Sequence, residues 1–123
     1  MKISPAESQV LDALWRAGRP LAAEEVTQAL ADEQEWAHPT VRSLLNRLVK
    51  KSAVAARMEG RRYLYSPLVA RADYTQAESE SLLDRLFEGQ IVPFVTQFAS
   101  RKKLSPEEVA QLRQLVEKLE NDR

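Results

Sequence analysis

The chain has 123 residues, no cysteine, a single histidine, and 18 basic against 18 acidic side chains. That length suits one domain, or a small domain with an appendage. Without cysteine there are no disulfides, thiolate nucleophiles, thiolate zinc sites or iron–sulfur clusters, and one histidine cannot build a multi-histidine metal site. No metal or other cofactor is expected. Met1-Lys2-Ile3-Ser4 leads directly into an amphipathic pattern, without an apolar run of spanning length, so a soluble, cytoplasmic protein with no direct membrane insertion is expected.

The first helix opens at Ser4-Pro5-Ala6-Glu7. Ser4 can cap, Pro5 suits the first helical position, and Glu7 stands where a capping box needs an acceptor. Val10, Leu11, Leu14 and Trp15 form its buried stripe, and Gly18 ends it. Trp15, at helical spacing among leucines, reads as core. Arg19-Pro20-Leu21-Ala22 is an extended connector or edge strand, since the residue before proline is pushed out of the helical region. A second helix is expected from about Ala23 to Asp32, with Val26, Ala29 and Leu30 inward and Glu24 and Glu25 near its positive end. A short turn, Glu33 to Ala37, follows, in which Trp36 is expected to pack under the junction.

The next stretch, His38 to Lys51, is the one around which the rest is arranged. Val41, Leu44, Leu45 and Leu48 fall at i, i+3, i+4 and i+7 and mark a helix with one face on a core. Thr40, Ser43, Asn46, Arg47 and Lys50 share the opposite face, with Arg42 and Lys51 at its edges, and no acid interrupts from His38 through Met58. Such a face can reach phosphates with Arg and Lys while its short polar groups and arginines address base edges. A solvated amphipathic helix with an excess of basic residues is the plainer reading of the same pattern. Two helices, a short turn and a basic third helix spell a helix-turn-helix.

After Ser52 the period shortens to about two. Val54, Ala56 and Met58 alternate with Ala55, Arg57 and Glu59, the chain turns at Glu59-Gly60-Arg61, and Arg62-Tyr63-Leu64-Tyr65-Ser66 returns. A hairpin there makes a wing tipped with Arg61 and Arg62. Residues 38–62 hold seven basic residues against Glu59 alone, a net charge of +6, whereas residues 68–123 carry −2. A basic patch on an otherwise neutral chain is the footprint of a nucleic-acid binder.

The remainder reads as purely helical. Ala77 to Phe87 carries Leu82, Leu83, Leu86 and Phe87 on one side, and Gly89 breaks it. Ile91 to Phe98 is short and apolar, with Pro93 acceptable only in a first turn. Arg101-Lys102-Lys103 reads as an exposed basic link. Ser105-Pro106-Glu107-Glu108 repeats the start signal of the first helix, and Val109, Leu112, Val116 and Leu119 then form a seam with Leu115 alongside. Three helices of this length have too little mutual surface to hide that seam together with Phe94 and Phe98. A second copy of the chain is the expected cover, with Leu86, Phe94, Phe98, Val109, Leu112, Val116 and Leu119 at the dimer contact; packing within the chain is the alternative.

Order and spacing of these pieces resemble the penicillinase and methicillin-resistance repressors, the BlaI/MecI type of winged-helix regulator. The resemblance is carried by Ser4-Pro5-Ala6-Glu7 with Val10 and Trp15, by Trp36 with Thr40-Val41-Arg42, and by the run Leu44 to Lys51. Gly60-Arg61 with Tyr63, Tyr65, Ser66 and Pro67, Phe98, and Leu104 to Glu108 extend it over nearly the whole chain. It implies a homodimeric repressor that sets two recognition helices on a palindromic double-stranded DNA operator, with intertwined C-terminal helices. Thr40, Arg42, Ser43 and Arg47 match the family's DNA-facing positions, and Arg61 and Arg62 match its wing; Asn46 and Lys50 join them from the helix face. Where family members are relieved by cleavage between Asn and Phe through a membrane sensor-protease pathway, the matching pair here is Gln97-Phe98. Ser52 stands where many relatives have Gly, and Pro39 where relatives often carry a polar residue. The branch that senses copper through C-terminal cysteines is excluded.

The expected architecture is therefore mainly α: an N-terminal winged helix-turn-helix of three helices plus a β-hairpin wing over residues 1–70, then a helical dimerisation module over 71–123. A sequence-specific transcriptional repressor is the leading expectation, and a dimeric winged-helix protein-interaction module without specific DNA binding is the alternative. No catalytic residue is expected, because the carboxylates fall at capping and solvated positions, the serines have no histidine base, and no Gly-rich phosphate loop occurs.

Overall fold

The computed structural model describes residues 2–101 and 104–123. In chain order it places α1 (Pro5–Ala17), α2 (Ala23–Ala29), α3 (His38–Lys50), β1 (Val54–Glu59), β2 (Arg62–Pro67), α4 (Arg71–Phe87), α5 (Ile91–Ala99) and α6 (Pro106–Asn121). Contacts divide the chain into two compact units, one ending at Tyr74 and the other running from Thr75 to Arg123. Lys102 and Lys103 of the expected basic link lie outside the described residues, while Arg101 is exposed.

In the first unit α1, α2 and α3 enclose a core of Val10, Leu11, Leu14, Val26, Leu30, Val41, Leu44, Leu45 and Leu48, closed by Val54 and Tyr65 of the hairpin. α1 begins with the expected box: Ser4 Oγ accepts from the Glu7 amide at 3.1 Å, and Glu7 Oε1 accepts from the Ser4 amide at 2.9 Å. At α2 the residue before the helix is Ala22, so only the reciprocal half is available, and Glu25 Oε1 accepts from the Ala22 amide at 2.9 Å. α2 is shorter than its pattern. It stops at Ala29, which is exposed, because the Leu30 carbonyl accepts from the amides of both Glu33 and Gln34 and winds the chain into a turn.

α3 ends in a Schellman motif. The Ala53 amide donates to the Leu48 carbonyl at 2.9 Å and the Ser52 amide to the Val49 carbonyl at 3.0 Å, which requires a left-handed residue between them. Ser52 fills that place at φ +62°. β1 and β2 pair antiparallel from Val54↔Pro67 to Glu59↔Arg62. Gly60, first of the two loop residues, takes φ +64°, the placement of glycine that suits a II′ turn. The connector between α1 and α2 adds a one-residue third rung, Leu21 and Tyr65 exchanging both backbone bonds at 2.8 and 3.0 Å.

α4 starts two turns earlier than its apolar pattern indicates, and tertiary contacts explain why. The Trp15 indole N–H donates to the Val69 carbonyl at 3.0 Å, the Trp15 and Tyr74 rings lie 5.6 Å apart, and Arg71 pairs with Asp12 at 3.6 Å. Trp15 is thus partly buried against the core with its polar edge satisfied, and Trp36 also packs on that core.

The second unit has no buried residue in α5 or α6. Phe94 stands between Phe87 and Phe98, edge-on to both at 5.5 and 5.1 Å, and Pro93 lies in the first turn of α5 as required. Ser105 Oγ caps α6 by accepting from the Glu108 amide at 3.2 Å. No helix among the described residues is long and apolar enough to cross a membrane.

Candidate nucleic-acid interface

The outer face of α3 follows from its packing. With Val41, Leu44, Leu45 and Leu48 buried, the 3.6-residue period turns Thr40, Arg42, Ser43, Asn46, Arg47 and Lys50 outward, and each is exposed. The first turn of α3 carries no acidic side chain, and Ala37 before it offers no capping group. Nothing negative on the helix itself therefore competes for an anion near its positive end.

The wing completes the surface. Arg61 and Arg62 are exposed at the hairpin tip. Together with Arg42, His38, Ala23, Glu24, Tyr63 and Tyr65 they line a cleft of about 190 Å³. The start of the basic helix and the tip of the wing, separated by about twenty residues in the chain, thus face the same space. Thr40, Ser43, Asn46, Arg47 and Lys50 extend the surface along α3 outside this cleft.

Not every basic residue of the patch is available to a partner. Lys51 turns inward: its ammonium donates to Glu7 Oε1 at 2.6 Å and to the Lys2 carbonyl at 2.7 Å. Glu7 is only 1% exposed, and its Oε2 has no protein partner. Burial pushes this carboxyl up, but the Lys51 hydrogen bond, the Ser4 bonds and the Lys51 charge outweigh it and hold the pKa below its ordinary value. Arg57 pairs with Glu59 across 3.3 Å. Among the described residues no ion pair engages Arg42, Arg47, Lys50, Arg61 or Arg62. Those five are the outward charge of the surface. Glu25 bounds it on the α2 side, its carboxyl held below the ordinary value by the Ala22 amide and by Arg19, with smaller help from the Arg62 charge.

A helix of this kind beside an arginine-tipped hairpin can lie in a major groove while the wing reaches flanking phosphates. The sequence profile of the penicillinase repressor family matches residues 3–118. The chain belongs to the penicillinase repressor family. It is 32% identical over 120 residues to the penicillinase repressor of Bacillus licheniformis, covering 98% of this chain and 93% of that protein. It is 25% identical over 117 residues to the methicillin resistance regulatory protein MecI of Staphylococcus aureus strain N315, covering 95% and 94%. Among solved structures, monomeric BlaI of B. licheniformis in complex with the blaP half-operator aligns with a TM-score of 0.52 at 32% identity, over 60% of this chain and 89% of that one. Membership in the penicillinase repressor family agrees with the mainly helical class and the winged helix-turn-helix expected from the sequence.

Three cleft residues, His38, Glu24 and Tyr63, escape a reading based on basic patterning. The signal for two of them was present: His38 is the chain's only histidine and opens the basic helix, and Tyr63 follows Arg62 directly on the wing. Glu24 joins them only because α2 packs on α3.

In the second unit the seam residues are uncovered. Leu86, Phe98, Val109, Val116 and Leu119 are exposed, Leu119 at 54% and Leu86 at 63%. Phe94 and Leu112 are half-buried and line, with Val95, Phe98, Leu104 and Leu115, an apolar groove of about 390 Å³. Gln97 and Phe98 stand exposed in the last turn of α5.

Proposed function

We propose that this protein is a sequence-specific DNA-binding transcriptional repressor that works as a homodimer on a palindromic operator. The observation that carries the reading is the acid-free, outward face of α3 opening onto the same cleft as the arginines of the wing, in a chain of the penicillinase repressor family. Arg42, Arg47, Thr40, Ser43 and Asn46 are assigned to the major groove, and Lys50, Arg61 and Arg62 to phosphates. Residues up to Tyr74 serve as the DNA-binding part and the helices beyond it as the dimerisation part. The exposed seam of α6 and the groove beside Phe94 support a second copy as the occupant, since so much apolar surface on a small helical unit is costly in water.

Control by cleavage at Gln97-Phe98, reached through a membrane sensor-protease pathway, is part of the proposal. It is supported by the exposure of that pair near the end of a nine-residue helix, where the extended backbone a protease requires needs only a local unwinding. The protein acts by binding and not by catalysis. The test is binding of the purified chain to a duplex selected from a random pool, against random duplex, across a salt series, with mass measured in parallel. The expected result is a dimer preferring the selected duplex by about a thousandfold or more near 0.15 M salt, with affinity falling steeply as salt rises. Equal affinity for both duplexes at every salt would refute it in favour of a protein-docking module.

A further inference from the structure

His38 is the chain's only histidine, and the fold sets it in the wall of the basic cleft, with Arg42, Arg61, Arg62 and Tyr63 around the same space. Its ring is held by α2. Thr27 Oγ1 donates its one proton to the Ala23 carbonyl at 2.9 Å, and His38 Nδ1 lies 3.3 Å from the Thr27 Oγ1. With the hydroxyl proton already committed, the contact is a hydrogen bond only if Nδ1 carries the proton. Nε2 is then the nitrogen left without a proton in the neutral ring. In the neutral ring it is a bare acceptor, placed 4.0 Å from the Glu24 carboxylate, Oε1. A lone pair facing an anion gains nothing, whereas a protonated Nε2 is a donor on a residue that lines the cleft together with three arginines.

We infer that His38 is a proton-linked phosphate contact, which makes the DNA affinity of this repressor rise as pH falls through the histidine range. The inference rests on the DNA-binding reading given above. The groups that face His38 are Glu24 from α2, Arg42 one turn along α3, and Arg61, Arg62, Tyr63 and Tyr65 from the wing. Histidine is the side-chain type whose ordinary charge change falls near neutral pH, and His38 is the chain's only one. Arg42, Arg61 and Arg62 bring positive charge to this space, which Glu24 and, at Arg62, Glu25 partly offset. A DNA phosphate entering the cleft reverses that balance, so phosphate binding and proton uptake favour each other.

The test compares a selected duplex and a random duplex from pH 5.5 to 8 at fixed ionic strength, using the native protein, His38→Asn and His38→Lys. Asn keeps a donor for the Thr27 hydroxyl and loses the titrating nitrogen, and Lys carries a permanent charge. The native protein is expected to tighten on both duplexes by about three- to tenfold per protomer between pH 8 and 5.5, with the slope of log affinity against log salt steeper by about 0.9 per protomer at the acid end. Both variants should lose this pH-linked difference. As a readout that needs no variant, the ring proton signals of the one histidine should titrate at higher pH with duplex bound than without it. An unchanged pH profile in His38→Asn, or an unchanged histidine titration on duplex addition, would overturn the inference while leaving DNA binding intact. Failure to bind any duplex at any pH would overturn the underlying reading instead.

Discussion

Arg42 and Arg47 carry the sharpest expectations. If they read base edges, Arg42→Ala or Arg47→Ala should weaken binding to the selected operator by about 1–3 kcal/mol and leave random duplex little changed, whereas Arg61→Ala should weaken both alike. Competition titrations on the two duplexes separate these, and equal losses for all three variants would show that none reads sequence. Glu7 makes a different prediction. Its carboxyl is held below the ordinary value in the folded state, so the unfolded chain takes up the proton first as pH falls. The stabilisation is complete above the unfolded carboxyl pKa of about 4.3 and disappears as pH drops through the lower folded value. Denaturation curves of the native protein and Glu7→Gln should therefore differ most at neutral pH and converge in strong acid. A gap that widened on acidification would contradict the assignment. Because Lys51 closes the end of α3 and Glu7 opens α1, this pair also fixes the far end of the recognition helix against the first helix.

Ser52 occupies the left-handed place of the Schellman motif at φ +62°, a conformation in which a side chain costs roughly 1–2 kcal/mol. Glycine removes that cost and gives back part of it as chain entropy. Ser52→Gly should thus stabilise the fold by about 0.5–1 kcal/mol and raise Tm by a few degrees, with operator affinity unchanged. A loss of stability would mean that the serine side chain has a role in the native state beyond occupying the cap. The elements most readable from the sequence were those whose local signals agree with their surroundings. Ser4 and Glu7 start α1 with each side chain accepting from the other's amide, and Ser105 starts α6 with its hydroxyl accepting from the Glu108 amide. α4 was read short, because its first two turns are ordered by Trp15, Tyr74 and Arg71 through contacts distant in the chain.

Beyond Tyr74 the chain carries apolar surface that its own helices leave uncovered, with Ile91, Val92 and Leu86 all more than 60% exposed. A dimer explains this economically, and replacing seam residues with charge tests it. Val116→Glu with Leu119→Glu should shift the mass toward monomer and reduce operator affinity, because each half-site then binds without its neighbour. The isolated first unit should still bind a half-site weakly. Retention of dimer mass in the double variant would place the contact elsewhere. Cleavage at Gln97-Phe98, within the same unit, should have a similar effect on affinity, and Phe98→Ala offers a check on whether that ring serves the protease, the dimer or both.

Periodicity decided by itself that this chain is mainly helical, that α3 buries one face and presents another free of acids, and that a hairpin follows. These are local properties, set by which side chains can leave water together within a few turns. The charge pattern likewise located the basic surface. Only the tertiary structure decided which basic residues serve it, since Lys51 and Glu7 lie 44 positions apart and meet because α1 packs on α3. The same holds for the cleft. His38, Glu24, Arg61 and Tyr63 come from three separate segments, and no pattern along the chain shows that folding brings them to one space.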